Sequence, residues 1–244
     1  MKEQCPKCKA NGYDTSKDNL HRYEDGHAHC YACGYHIFSN SIEAMIQVET
    51  KKEKQLVVLP KDAVPEIDFK ALTWLAKYEI STEEVAKYQM LWSKGHKLLI
   101  FPIYSASPGH ELLAWQGRNF SGYGAKNWTE GQIHDIIVPL DATYPLPVTK
   151  AKYMVLVEDY VSAIKVARGH SVTCMFGSDA SSNWLKRFHI LTDTLYFWLD
   201  NDKALQAMRL AKIASTLNFK VKVIVTKNDP KVYSDVEINQ AILG

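Results

Sequence analysis

Residues 153–202 read YMVLVEDYVSAIKVARGHSVTCMFGSDASSNWLKRFHILTDTLYFWLDND, and this stretch decides the fold. Two apolar runs, 154–157 and 195–199, have the length and the β-branched or aromatic content of buried strands. A helix-like segment follows each run, at 162–170 and at 204–217. This alternation of strand and helix predicts an α/β domain with a mainly parallel sheet and right-handed crossovers.

Both apolar runs stop at acidic residues. Glu158 follows the first run, and Asp200 and Asp202 follow the second. Ligands of parallel sheets bind beyond the carboxyl ends of the strands, and residues two apart at a strand end point to the same side. Three carboxylates repel one another unless a divalent cation lies among them, and oxygen ligands suit Mg²⁺ or Mn²⁺. The alternative is helix capping by aspartate, but a single cap leaves Glu158 unexplained.

The composition limits the classes of protein that remain open. The chain has 244 residues, of which 46% are hydrophobic, enough for one large or two modest domains with a real core. A formal net charge of only +2 argues against a generally basic nucleic-acid binder but allows local basic patches. We find no apolar run of the ~20 residues that a membrane span needs and no signal-peptide core at the N-terminus. These features predict a cytoplasmic protein.

Four of the five cysteines form two Cys-x-x-Cys pairs near the N-terminus. The pairs are Cys5 with Cys8 and Cys30 with Cys33. Both thiolates of such a pair reach one ion from a tight turn, so two pairs predict a tetrahedral zinc site in a small ribbon at residues 1–40. A site closed by four protein ligands is structural rather than catalytic. A redox pair and an iron–sulfur cluster are the alternatives.

Aromatic residues accompany the cysteines. Tyr23, Tyr31, Tyr35 and Phe38 lie close in sequence to Arg22, a combination that suits stacking on unpaired bases. The alternative is that these rings form the small core of the ribbon. The charged and proline-containing segment 41–65 reads as a linker.

Residues 66–150 are expected to form a mixed α+β subdomain. Helical spacing at 69–75 and a capping-box start at Ser81 predict two short helices. Two strands, 97–104 and 112–118, flank turn residues and should form a hairpin.

Basic residues follow this predicted hairpin. Arg118 and Lys126 bracket two glycines and two aromatic residues, which favours a flexible loop that binds phosphates or bases, although an ordinary hairpin loop fits as well. Near the C-terminus, a strand at 219–225 precedes Asp229 and Lys231, and a last helix is predicted at 236–243.

In their order along the chain, these motifs resemble those of bacterial and bacteriophage DNA primases, most closely the primase half of phage primase–helicases. The resemblance covers nearly the whole chain and rests on order rather than on any single motif. The matching residues are Cys5-Pro6-Lys7-Cys8, Gly26 to Cys33, Phe101-Pro102, Gly117-Arg118, Lys126, Glu158, Asp200-x-Asp202 and Asn228-Asp229-Pro230-Lys231.

The resemblance implies roles for these residues. Residues 151–244 would form a TOPRIM-like catalytic domain in which Glu158, Asp200 and Asp202 are catalytic and hold Mg²⁺ or Mn²⁺, with Asp159 as a candidate further ligand. Nucleotide or template binding would fall to Arg118, Lys126, Asp229 and Lys231. Such primases usually carry an acid four residues after the glutamate, where this chain has Ser162. Either Asp159 takes over part of that role or one metal ligand is weaker.

The resemblance also implies an activity, which is synthesis of short RNA primers on single-stranded DNA from ribonucleoside triphosphates, with a zinc ribbon reading the template. The chain has no Gly-x-x-x-x-Gly-Lys-Ser/Thr motif. A separate helicase is therefore expected, unless the sequence is a fragment of a longer primase–helicase. Two other functions remain open: a metal-dependent nuclease of the same fold, and a non-catalytic adaptor that binds single-stranded DNA.

Overall fold

The computed structural model describes residues 2–12, 17–23, 28–33, 35–37, 56–105, 111–137, 139–140 and 150–244. The chain divides into two compact units, Met1–Leu56 and Val57–Gly244. Much of the predicted linker, and Phe38, lie outside the described residues. The domain boundaries at residues 40, 65 and 150 therefore remain predictions. Within the described residues, no helix has both the length and the apolar character to cross a bilayer.

The first unit is a small antiparallel sheet built around the four cysteines. Its elements are β1 (Lys2–Glu3), α1 (Pro6–Ala10), β2 (Leu20–Arg22), β3 (Ala28–Cys30) and β4 (His36–Ile37). The strands are ordered β1-β2-β3-β4. Leu20 and Ala28 are buried with the cysteines. Because so little apolar surface is available, hydrophobic burial alone contributes little stability to a core of this size.

The second unit begins with an antiparallel sheet. Its strands, in spatial order, are β5 (Ala63–Val64), β6 (Leu91–Ser93), β7 (Leu98–Tyr104), β8 (Leu112–Asn119) and β9 (Asn127–Gly131). The predicted hairpin is confirmed, since β7 and β8 pair antiparallel. Strand β9 was not predicted because its five residues are all exposed and show no alternation of apolar and polar side chains.

Two short helices pack beside this sheet, α2 (Phe69–Ala76) and α3 (Thr82–Lys87). The Asp68 carboxylate caps α2 by accepting a hydrogen bond from the backbone N–H of Lys70 at 2.8 Å. The predicted capping box at α3 is confirmed, because Ser81 and Glu84 each accept a hydrogen bond from the other's backbone N–H. These caps fix where both helices begin.

The second sheet is mainly parallel, as predicted. Its strands, in spatial order, are β10 (Pro139–Leu140), β12 (Val172–Cys174), β11 (Met154–Val157), β13 (Thr194–Trp198) and β14 (Lys220–Val223). Only the pairing of β10 with β12 is antiparallel. The helices are α4 (Tyr160–Ala167), α5 (Ser182–Lys186), α6 (Ala204–Thr216) and α7 (Asp235–Leu243). The carboxyl ends of β11, β13 and β14 therefore lie side by side at one edge of the sheet.

The two sheets of the second unit share one hydrophobic core. Leu99 and Phe101 of the antiparallel sheet belong to the same buried cluster as Val155, Val157 and Trp198 of the parallel sheet. Every residue of α4 is buried, which places this helix inside the core rather than on the surface. The unit is accordingly one continuous body, in which the parallel sheet is held against the antiparallel one.

Ion pairs reinforce this junction. The ammonium of Lys165, a side chain that is 1% exposed, lies 2.5 Å from the Glu79 carboxylate. Arg168 donates to Glu84 at 2.8 Å and to Asp235 at 3.0 Å. Lys165 lies within α4 and Arg168 directly follows it. Glu79 and Glu84 belong to the segment around α3, so the pairs join parts of the chain that are far apart in sequence. Removal of the Glu79 carboxylate should be destabilising because it would leave the buried ammonium of Lys165 without its ion-pair partner.

Candidate functional site

The four cysteines lie close enough together to hold one metal ion. Their sulfur atoms all lie within 4.8 Å of one another. The Sγ atoms of Cys5 and Cys33 are 3.7 Å apart, and those of Cys8 and Cys30 are 3.6 Å apart. A tetrahedral ion with metal–sulfur bonds of about 2.3 Å has sulfur–sulfur edges of about 3.8 Å. The cysteines are free thiols, and the space between them suits one ion rather than a cluster that brings its own sulfides.

The backbone prepares one of these thiols for metal binding. Burial by itself raises the pKa of Cys30, but the backbone N–H groups of Cys33 and Ala32 stabilise its thiolate and the pKa falls to about 7. Metals bind the thiolate rather than the thiol. The tight turn after Cys30 therefore supplies both the ligand spacing and the N–H donors.

Purified protein is expected to contain about one zinc per chain by elemental analysis, because the four sulfurs form a closed tetrahedral site. Cys30→Ser should lose the metal. Cys174→Ser is the matched control and should keep it, because Cys174 is buried in the core of the second unit. Iron in place of zinc, or disulfides among the four cysteines, would contradict the assignment.

The aromatic residues of the ribbon have different environments. Tyr35 packs against the cysteine cluster, so for this ring the core interpretation is correct. Tyr31 is 66% exposed, and its hydroxyl lies 2.6 Å from that of Tyr23. His21 and His29 lie edge-on to Tyr31, with ring centroids at 5.1 and 4.7 Å. The ribbon thus carries an exposed aromatic cluster on its surface.

The two basic residues of the predicted loop come together through a hairpin. Strand β8 pairs with β9 so that Arg118 lies opposite Asn127, the neighbour of Lys126. The intervening turn is an ordered structure: the Asn119 side chain donates to the carbonyls of Tyr123 and Ala125 at 2.6 and 2.9 Å. Gly122 and Gly124 both adopt positive φ there, which other residues reach only with strain.

Arg118 is further fixed by an aromatic ring. Its guanidinium lies 5.1 Å from the centroid of the Trp74 ring, which projects from α2. A cation–π contact of this kind stabilises by about 0.5–2 kcal/mol and leaves the donors of the guanidinium free to bind a ligand in its plane. Trp74 therefore orients Arg118.

Glu158 directly follows the carboxyl end of β11. One of its side-chain oxygens is unsatisfied within the described part of the chain. Its Oε2 atom is buried and has no hydrogen-bond partner among the described residues. Burial raises the pKa of Glu158, Lys203 opposes this shift, and Asp159 and Asp202 add to it. An acid in this environment gains from any cation that approaches it.

Asp200 is the counterpart of Glu158 at the end of β13. Its Oδ1 atom is also buried without a partner among the described residues. Burial raises the pKa of Asp200 to about 7, with Glu158 and Asp229 adding to the shift and Lys231 opposing it. Two buried, orphaned carboxylate oxygens on adjacent parallel strands have the hard oxygen chemistry that Mg²⁺ and Mn²⁺ prefer, so these residues fit a divalent cation.

Asp202 differs from the predicted arrangement. Strand β13 ends at Trp198, and residues Asn201–Lys203 form a 3₁₀ turn, so the period-two geometry of a strand does not apply to Asp200 and Asp202. The Asp202 side chain is 72% exposed and pairs with Lys203 at 3.0 Å. Within the described part of the chain, the cysteines are the one group of three or more metal-ligating side chains with ligand atoms this close. The three carboxylates are therefore not preassembled around one point.

Asp159 and Asp229 are joined by a lysine. The Lys231 ammonium donates to Asp159 Oδ2 at 2.8 Å and to Asp229 Oδ2 at 2.7 Å. Burial alone would lower the pKa of Lys231, but Asp159 and Asp229 outweigh it and the pKa is raised. Asp159 also caps α4, accepting from the backbone N–H of Ser162 at 3.0 Å and from its hydroxyl at 2.8 Å.

These groups line one cleft of about 290 Å³. Most of the residues predicted for the site converge there, and Asp202 is not among the described residues of its lining. The predicted residues that line it are Arg118, Lys126, Glu158, Asp159, Asp200, Asp229 and Lys231. Arg118 and Lys126 on the β8–β9 hairpin thus face the acidic edge of the parallel sheet. The space between them suits a small anionic ligand.

Solved structures share this arrangement of sheets. The chain aligns over its whole length with the primase fragment of the bacteriophage T7 primase–helicase protein, covering 97% of that chain with a TM-score of 0.52 and 14% identity. It aligns over 72% of its length with a DnaG primase catalytic domain bound to single-stranded DNA, covering 71% of that chain with a TM-score of 0.57 and 13% identity. The chain has the primase fold.

Other comparisons add little to this result. The chain spans 56% of the length of an Aquifex aeolicus primase containing zinc-binding and RNA polymerase domains, aligning over 84% of its own residues with a TM-score of 0.49 and 16% identity. No protein-family model matches the sequence. No curated protein matches it either.

Several residues of this chain that line the cleft were not predicted from the sequence. Trp74 and Tyr78 reach the cleft from α2 and its C-terminal end, and nothing in the local sequence separates them from core residues. Gln116 could have been identified from the sequence, because an amide within an apolar strand becomes buried and then needs a polar partner or ligand. Phe176 lines the cleft with φ of 54°, a left-handed backbone that costs an aromatic residue about 1–2 kcal/mol.

Proposed function

We propose that this protein is a DNA primase, which joins ribonucleotides into short RNA primers on single-stranded DNA. The observation that carries the proposal is the cleft, in which Arg118 and Lys126 face the orphaned oxygens of Glu158 and Asp200 within a primase fold. Nucleotide polymerisation needs cations that bind the triphosphate and acids that hold a divalent ion, and the cleft offers both.

Glu158 and Asp200 would hold the divalent cation. Asp202 would join them only if the 3₁₀ turn Asn201–Lys203 rearranged. When bound, Mg²⁺ or Mn²⁺ supplies charge neutralisation at the phosphates and activation of the attacking hydroxyl. The chain's own residues would position the substrate. Arg118, oriented by Trp74, would bind phosphate oxygens in bidentate fashion, and Lys126 would add a second positive charge.

The ribbon would read the template. Its exposed cluster of His21, Tyr23, His29 and Tyr31 offers faces on which unpaired bases can stack. One structural neighbour is a primase catalytic domain bound to single-stranded DNA, and another is a fragment of a primase–helicase. We therefore include single-stranded DNA, ribonucleoside triphosphates and a replicative helicase among the proposed partners. Cytoplasmic location stays a prediction.

The test is a primer-synthesis assay. Full-length protein is incubated with labelled ribonucleoside triphosphates and single-stranded DNA of mixed sequence, with and without Mg²⁺. We expect short, alkali-labile products that require both the template and the metal. Degraded template without new products would instead favour the nuclease, and template binding without either reaction would favour the adaptor. Both of those outcomes contradict the proposal.

A further inference from the structure

Four acidic residues of the cleft fall into two pairs. One pair is hydrogen-bonded to a lysine, and the other has buried oxygens without a hydrogen-bond donor among the described residues. In the first pair, Asp159 and Asp229 share the ammonium of Lys231 at 2.8 and 2.7 Å. The Lys231 side chain is 15% exposed and is held by the 3₁₀ turn Pro230–Val232, in which Pro230 is buried. This ammonium is therefore a fixed part of the cleft rather than a surface group.

Asp159 needs no further cation. Its Oδ1 accepts from the backbone N–H of Ser162, and its Oδ2 accepts from the Ser162 hydroxyl and from Lys231. Ser162 occupies the position at which such primases usually carry another acid, and here it is a hydrogen-bond donor to Asp159. Ser162 and Lys231 together satisfy a carboxylate that would otherwise be available to a metal.

In the second pair, the buried oxygens have no hydrogen-bonded ammonium group among the described residues. Glu158 Oε2 and Asp200 Oδ1 are both buried and lack hydrogen-bond donors among the described residues. Lys203 pairs with Asp202 at 3.0 Å instead. A divalent cation would satisfy both oxygens of the second pair. At the first pair it would have to displace the Lys231 ammonium, which is hydrogen-bonded to both carboxylates.

We propose that Lys231 takes the place of a second divalent ion, so that the acidic centre of this chain binds one divalent cation, at Glu158 and Asp200. The proposal rests on the proposed function for the identity of the metal. It differs from a two-metal centre, in which paired ions bridge the reacting groups. Lys231 supplies a permanent positive charge whose position does not depend on the concentration of free metal.

The experiment counts bound Mn²⁺. Zinc-loaded full-length protein is titrated with Mn²⁺ alone, in a buffer without chelator, and free Mn²⁺ is followed by electron paramagnetic resonance. We expect one tightly bound ion per wild-type chain and none in Asp200→Asn. Lys231→Gln should bind a second ion, because Asp159 and Asp229 then repel each other and recruit a cation.

Two controls keep the count interpretable. Lys227→Gln removes the same charge from an exposed position of the same loop and should still bind one ion. Lys231→Arg keeps the cation and should also bind one. Two ions in the wild type, an unchanged count in Lys231→Gln, or retention of the ion in Asp200→Asn would each overturn the proposal. If Lys231→Gln does not fold, the wild-type and Lys231→Arg counts still decide the outcome. Because no nucleotide is present, failure here is separate from failure of the primer-synthesis assay.

Discussion

Replacing Asp200 with asparagine should abolish primer synthesis and, at the same time, make the protein more stable in metal-free buffer. Asparagine keeps the shape of the side chain but cannot offer the anionic oxygen that a divalent cation needs. Loss of a group that stabilises charge at a reaction centre typically lowers the rate by roughly 10²–10³-fold or more. The gain in stability follows from the buried, orphaned Oδ1 atom, which costs free energy when it is charged.

The pH dependence of this gain has a defined sign. The pKa of Asp200 is raised to about 7 in the folded protein, against about 3.9 in an unfolded chain. The folded state therefore binds a proton more tightly, and its stability falls as pH rises from about 4 to about 7. After allowance for solvent screening of a half-buried group, we expect Asp200→Asn to gain about 2 kcal/mol above pH 7 and little near pH 4.

Thermal unfolding of wild type and variant at pH 5 and pH 8, without Mg²⁺ and without chelator, measures this difference. Asp193→Asn is the matched control, because Lys150 lowers the pKa of Asp193 and its removal should bring no gain. Adding Mg²⁺ should stabilise the wild type but not Asp200→Asn. Normal primer synthesis by Asp200→Asn, or a variant less stable than wild type at pH 8, would remove Asp200 from the proposed centre.

Deleting the first compact unit should separate two activities. Residues 57–244 form a compact unit that contains every described residue lining the cleft. We expect this truncation to lose template-specific initiation completely and to keep extension of a preformed diribonucleotide. The physical reason is that, in the proposed function, the cleft binds phosphates, which are the same in every nucleotide. The ribbon carries the exposed aromatic cluster that can stack on unpaired bases.

The measurement compares de novo initiation with dinucleotide extension on one template, after circular dichroism has established that the truncated protein is folded. Full-length Cys8→Ser is a second route to the same state, because loss of the metal should unfold the ribbon alone. Loss of both activities in a folded truncation would mean that the ribbon also completes the active site. Retained sequence-specific initiation would instead place specificity in the hairpin of Arg118 and Lys126.

Local patterns in the sequence were enough to predict much of this structure. The apolar run that became β11 is continuous because both faces of that strand are buried, and in β13 one face is buried and the other is partly buried. The positions of both strands and of the acids that follow them could therefore be predicted directly from the sequence. The spacing of the four cysteines predicted their cluster, since each Cys-x-x-Cys turn brings two thiols together and one tetrahedral ion needs four ligands. The signals for these features lie within a few neighbouring residues.

Features that depend on distant contacts could not be predicted. The exposed position of Asp202 follows from the end of β13 at Trp198, which the apolar run does not reveal because Leu199 continues it. Trp74 reaches the cleft only because α2 lies beside β8, and the pairing of Lys231 with Asp159 joins residues 72 positions apart. No local sequence pattern indicates these contacts.

The shared core of the second unit has a consequence for how ligand binding can be detected. We expect Leu99 and Val155 to unfold together because they belong to one buried cluster. The ion pairs of Lys165 with Glu79 and of Arg168 with Glu84 add further contacts within the same unit. A ligand that touches only one wall of the cleft therefore raises the melting temperature of both, by an amount set by its concentration relative to its dissociation constant. A single unfolding curve of this unit reports occupancy of the whole cleft, whichever sheet supplies the contact.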